Sequence, residues 1–359
     1  MWIHFTGLIG LRHKNIGIKT VKIYICIYLL YAASALPLEP DEVPDYQYPR
    51  FITFPDGDGN PHVVDLEEPI DPKYEDMIRR DEDVNEYLLF TRNNPYNGQR
   101  LIMGDVNSVR QSFFRPDIPT VVIVHGWLSK SDTNLNPFKF TLFPAFLGRF
   151  NVNVIVCDWR RLAIAGYVTA ANAVPGVGRN LGRFINFINS QGASFNTVHL
   201  VGFSLGAHVV GNAGRETGGR ISRITALDPA GPLWTLSQNR ISPTDGRYVE
   251  AIHTDGGYTV GGLGIGRDVA QVDFYVNGGL SQPGCVTNIC NHNRAWAFFA
   301  ASVSYNHLIG NRCESSTQIN LNRCRGPPFP MGNGYYSKHG SGRYRANTGR
   351  RHPFGDIYD

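Results

Sequence analysis

The sequence predicts an α/β fold: a mostly parallel central sheet with helices on both faces. Three observations carry that prediction. Short, almost wholly apolar runs alternate with segments of helical spacing, which is the pattern of strands buried on both faces. The runs end at His125, Asp158, Ser204, Asp228 and His253, and functional groups in such sheets gather at the carboxyl ends of the strands. The chain has 359 residues, 42% hydrophobic and 18% charged, enough to bury a sizeable core.

Taken in order, Lys14, Lys19 and Lys22 precede an apolar run over 23–33, and Ala33-Ser34-Ala35 offers a small-x-small cleavage site. Residues 1–35 therefore read as a secretory signal peptide, with a run too short to span a bilayer comfortably. Residues 36–83 begin acidic and rich in proline and read as an extension over the surface or partly disordered. Residues 87–91 read as a strand, with a turn at Asn93-Asn94-Pro95. Further strands are expected over 120–124, 152–156, 197–201, 221–227 and 248–253, and helices over 171–190, 207–216 and 295–304. In the first of these helices Leu181, Phe184, Ile185 and Ile188 are spaced for one face, and the second stops at Gly218-Gly219. Residues 84–359 read as one domain.

The formal net charge is only +4, and no aromatic-basic motif of a nucleic-acid module is present. No stretch after the signal is long and apolar enough to span a membrane. The basic C-terminal residues Arg343, Arg345, Arg350, Arg351 and His352 read as a solvated face, or as a contact for an anionic lipid surface. Of the six cysteines, Cys26 leaves with the signal and Cys157 lies in a buried apolar run. Cys285, Cys290, Cys313 and Cys324 allow three connectivities. Local pairing, Cys285 with Cys290 and Cys313 with Cys324, is preferred. Zinc is the alternative, without a CxxC spacing to support it.

The sharpest motif is Gly202-Phe203-Ser204-Leu205-Gly206 between a strand and a helix. A serine on such an elbow projects its hydroxyl above the sheet at a helix N-terminus, the nucleophile position of an α/β-hydrolase fold. A serine hydroxyl needs a base, and the base an orienting carboxylate; in this fold the chain order is serine, acid, histidine. Asp228, one helix and one strand after Ser204 and stopped by Pro229, is preferred over Asp255 and Asp273. His292, beside Cys290 on a loop before a helix, is the preferred base over His125, His199, His208, His253 and His307. Two backbone amides must hold an oxyanion, and those of Leu205 and Trp127 are the candidates.

These pieces resemble the pancreatic lipase family of animal lipases. Matching segments run in the family's order: Val124-His125-Gly126-Trp127, the Ser204 elbow through His208, 223–232 around Asp228, 252–256, Asp273-Phe274-Tyr275, Asn277-Gly278-Gly279 and Cys290-Asn291-His292. The resemblance implies Ser204, Asp228 and His292 as a triad, Trp127 and Leu205 as oxyanion donors, both local disulfides, and no cofactor. It implies a secreted lipase meeting acylglycerol at a lipid–water interface. Three departures stand out. The chain ends without the family's C-terminal β-sandwich. Only four residues separate Cys285 from Cys290, too short a lid to cover a site, as in phospholipase A1 members, while the loop 257–272 is not trimmed. At the family's calcium site Arg240 and Asp245 match, but Ser237 and Ser242 replace carboxylates, and calcium prefers anionic oxygen ligands, so no metal is expected. Phospholipase A1 activity is the alternative function. A non-catalytic lipid-binding or yolk-type storage role is a further one, opposed by the intact serine and its partners.

Overall fold

The structure is a computed structural model and describes residues 48–56, 59–80, 84–128, 137–256 and 261–355. The segment read as a signal peptide and the start of the acidic extension lie outside the described residues. The strands are β1 (Phe51–Pro55), β2 (Pro61–Asp65), β3 (Glu86–Phe90), β4 (Gln99–Leu101), β5 (Thr120–Val124), β6 (Asn153–Asp158), β7 (Val198–Phe203), β8 (Arg223–Leu227), β9 (Val249–His253), β10 (Val272–Val276), β11 (Ile309–Cys313), β12 (Pro328–Pro330) and β13 (Gly342–Ala346). The helices are α1 (Pro72–Arg80), α2 (Val106–Arg110), α3 (Pro137–Arg149), α4 (Arg160–Ala163), α5 (Tyr167–Ser190), α6 (Leu205–Glu216), α7 (Asn288–Tyr305) and α8 (Ser316–Asn320).

β5 shows why the sheet forms. Its sequence TVVIV is nearly all β-branched and every residue is buried, the composition a pleated, two-sided interior favours. Val122 and Val124 join one apolar layer with Leu181 and Phe184 of α5. Val121 and Ile123 join the other, with Leu142 and Phe146 of α3 and Phe298 and Phe299 of α7. Alternation along one strand thus feeds two cores. Eleven strands form this sheet in the order β12-β11-β13-β10-β9-β8-β7-β5-β6-β3-β4. The central strands β13, β10, β9, β8, β7, β5 and β6 run parallel, with antiparallel strands at both edges. This is the predicted α/β-hydrolase architecture.

The predicted strands are present within about two residues, and β5 has the predicted limits. Two helices are longer than predicted. α5 starts at Tyr167 and carries Pro175 inside it. α7 starts at Asn288, so His292 stands in a helix and not on the expected loop. The Thr287 side chain caps that helix by accepting the Cys290 N–H at 3.2 Å, which lets the poor formers Asn291, His292 and Asn293 enter it. The disulfides Cys285–Cys290 and Cys313–Cys324 both form, and Cys157 is buried in β6 outside them.

Residues 48–80 hold structure that composition did not suggest. β1 and β2 pair as a separate antiparallel hairpin, with Phe54 opposite His62. Phe54, Val64 and, from α1, Tyr74 belong to the same apolar core as α5.

A buried ion cluster ties β8 and β9 to the chain before β13. Arg223 pairs with Glu250, and Lys338 Nζ lies 2.8 Å from the other oxygen of Glu250. Burial raises the Glu250 carboxyl, but the charges of Arg223 and Lys338 outweigh it and hold the group down at about 2. At the C-terminal edge Arg343 lies 2.6 Å from Asp268, and Arg345 donates to Asn347 and to the Ile319 carbonyl. These two arginines of the basic stretch serve internal contacts.

Candidate active site

Ser204 sits between the end of β7 and the start of α6, with φ 56° and ψ −121°. A non-glycine residue there is strained, and the flanking glycines make the turn possible. A Cβ on Gly202 would collide with the Gly206 carbonyl, and one on Gly206 with the carbonyls of Val124 and His125. Helix and strands therefore meet backbone to backbone. Leu205 is the first residue of α6, where amides have no partner within the helix.

Asp228 follows β8 directly. One carboxylate oxygen accepts the N–H groups of Thr254 at 2.7 Å and Asp255 at 3.1 Å. The other lies 2.6 Å from His292 Nδ1. The imidazole thus donates through Nδ1 and presents Nε2, which is buried and has no hydrogen-bond partner among the described residues; the same is true of Ser204 Oγ. Ser204 and His292 line one small cavity with Gly126, Trp127, Phe203, Phe54, Pro55 and Asp56.

The rival residues are occupied elsewhere. His125 lies between the Gly126 carbonyl and Asp158, at 2.9 and 3.2 Å. His199 meets Thr225, and His253 meets Asp273 at 2.9 Å. His208 is bonded to the Ala230 carbonyl, and burial pushes it down to about 3. His307 bonds the Pro353 carbonyl. Asp255 accepts from the Leu263 N–H, and burial together with the neighbouring Asp228 charge raises it to about 9. It is therefore a neutral neighbour of Asp228 near pH 7.

Trp127 lies on the loop after β5, its indole N–H donating to the Ala165 carbonyl at 2.8 Å. That bond fixes the loop beside Ser204. Ser204, Asp228 and His292 thus come together at the carboxyl end of the sheet in serine–acid–histidine chain order.

The profile of the lipase family matches residues 68–333. This chain belongs to the lipase family. It is 36% identical to the pancreatic triacylglycerol lipase of Mus musculus over 292 residues, covering 74% of this chain and 61% of that one. It is 35% identical to the Homo sapiens enzyme of the same name, covering 74% of this chain and 62% of that one. Human pancreatic lipase-related protein 2 is 33% identical, covering 66% and 55%. The alignments span less than two thirds of these relatives' own lengths.

In this lipase-family chain the cation position implied by the resemblance does not suit calcium. Asp245 is fully buried, with the Ser242 N–H at 2.8 Å, the Ser242 hydroxyl at 2.7 Å and Arg215 Nε at 3.6 Å on its carboxylate. One carboxylate already engaged by an arginine, a backbone amide and a hydroxyl is a poor cage for a hard cation. Sequence reasoning missed Phe54. Its ring centroid lies 4.8 Å from Tyr167, 5.9 Å from Trp127 and 5.7 Å from His292. The signal available in sequence was the aromatic and β-branched run Phe51-Ile52-Thr53-Phe54, short and unflanked by any motif.

Proposed function

We propose that this protein is a secreted serine lipase that hydrolyses fatty-acyl esters of acylglycerols. The observation that carries the reading is the His292–Asp228 bond of 2.6 Å beside a buried Ser204 hydroxyl at a strained elbow. His292 Nε2 takes the proton of Ser204, and Ser204 Oγ attacks the ester carbonyl. The amides of Trp127 and Leu205 hold the oxyanion, and the alcohol leaves with the proton from His292. Water, deprotonated by the same nitrogen, then releases the fatty acid. Asp228 keeps the imidazole in the required tautomer and stabilises its charged form. The relatives' names support the acylglycerol substrate. Two disulfides, and a leader of signal-peptide composition, support secretion. Among the described residues no helix is long and apolar enough to cross a membrane.

Phospholipase A1 activity is a second reading, favoured by the short loop between Cys285 and Cys290, where Val286 is 98% exposed. Fatty-acid release by the purified chain separates the two, measured on trioleoylglycerol emulsion and on phosphatidylcholine vesicles labelled at the sn-1 chain, with Ser204→Ala alongside. Release mainly from the emulsion supports the lipase, and release mainly from the vesicles the phospholipase. Equal release by natural chain and Ser204→Ala would remove both.

A further inference from the structure

Ser204 is only 2% exposed and its hydroxyl is buried, and the space over it is about 10 Å³, room for about one water molecule at most. No ester reaches the hydroxyl in this conformation. Of the residues enclosing that space, Gly126, Trp127, Phe203 and His292 stand on the rim of the main sheet or on α7. Phe54, Pro55 and Asp56 come from the β1–β2 hairpin, which shares no strand pairing with the main sheet.

The hairpin is fastened over the site by side chains. Phe54 is 1% exposed, and the His62 ring lies 5.8 Å from Trp127. A Cβ added at Gly59 would come within 3.7 Å of Asn293 and 3.8 Å of Ile289 on α7. Arg50 grips Asp65 through two bonds of 2.9 and 2.8 Å across the open end. Behind it, Glu68 accepts the Val168 N–H and the Asp71 N–H donates to Thr169 at 2.9 Å, both at the start of α5. A two-stranded hairpin is marginal alone, so its position depends on staying tethered to the domain it covers. The tether ends at α1, whose last two residues are Arg79 and Arg80, with side chains 66% and 60% exposed.

We propose that Arg79–Arg80 is a processing site for a trypsin-class protease, and that cleavage there frees the hairpin from Ser204. The inference rests on Ser204 being the nucleophile of the proposed reaction. Cleavage adds one water across the peptide bond after an arginine of the pair, leaving a carboxylate and a new ammonium terminus. No covalent contact then holds Phe54 over the serine. The high effective concentration that kept it seated is lost, and dilution drives dissociation.

The test treats the full chain briefly with trypsin, locates the cut by intact mass, and follows two readouts. One is dissociation of the N-terminal fragment on gel filtration. The other is the rate at which a fluorophosphonate labels Ser204. Cleavage at the pair is expected to release the fragment and speed labelling at least about tenfold, and R79Q/R80Q is expected to stay covered and slow. Equal labelling before and after the cut overturns the inference. So does equal acceleration in R79Q/R80Q, or full acceleration of the uncut chain by trioleoylglycerol emulsion alone. Release of the fragment with no labelling at any stage supports the processing site and sinks the catalytic reading of Ser204.

Discussion

Phe54 stands edge-on to His292, ring centroids 5.7 Å apart, while Asp228 holds the Nδ1 of the same imidazole at 2.6 Å. One ring therefore receives its orientation from the end of β8 and its cover from the N-terminal hairpin. Its remaining nitrogen is buried without a hydrogen-bond partner among the described residues, and the residue lines the same small cavity as Ser204.

Asp228→Asn tests the orienting role. The amide keeps an acceptor for the Thr254 and Asp255 N–H groups but no longer enforces the tautomer that leaves Nε2 basic. Turnover of a soluble ester is expected to fall by about 10⁴ with the melting temperature little changed. A loss below tenfold would show that another carboxylate, or none, orients His292.

Gly202→Ala tests the elbow. The added Cβ meets the Gly206 backbone carbonyl, and backbone yields little, so a loss of about 3 kcal/mol, the upper end for overpacking, is expected in urea unfolding. Gly148→Ala is the control: it lies exposed in α3 with nothing within 4 Å of its added Cβ. There alanine is expected to be neutral or stabilising by up to about 1 kcal/mol.

Asp255→Asn tests the neutral acid. Burial and the Asp228 charge raise Asp255 to about 9 in the folded chain, against about 3.9 unfolded. Between those values the folded chain holds a proton that the unfolded chain has lost. Stability from this group is therefore full below pH 4 and drains as pH rises toward 9. From pH 5.5 to 8.5 the natural chain is expected to lose roughly 4 kcal/mol more than Asp255→Asn. Parallel losses in urea titrations would refute the shift.

Glu250→Gln tests the ion cluster. It leaves Arg223, fully buried, and Lys338, 9% exposed, without their shared anion. A loss of about 3–5 kcal/mol is expected. Lys338→Met should cost clearly less, because Arg223 still neutralises Glu250. Equal costs, read by chemical denaturation, would contradict a cluster centred on the carboxylate.

Much of this was legible before any coordinates. The parallel strands announce themselves because burial on both faces demands unbroken apolar runs, as in TVVIV of β5. The elbow is legible because close backbone approach admits only glycine at 202 and 206. The disulfides were readable as local pairs, with separations of 5 and 11 residues. The start of α7 was not: Cys290, Asn291, His292 and Asn293 carry little helical propensity, and the helix there depends on the Thr287 cap.

The sequence alone determined the sheet, the elbow and the order in which its polar residues reach the rim, since each is set by neighbours a few positions away. Only the tertiary structure decided which carboxylate meets His292, because Asp228 and His292 are 64 residues apart. It also decided that Phe54, in an acidic, proline-rich segment, closes over Ser204. Burial of that ring is a property of the surface it lands on, formed by Trp127, Tyr167 and His292, and no local pattern encodes it.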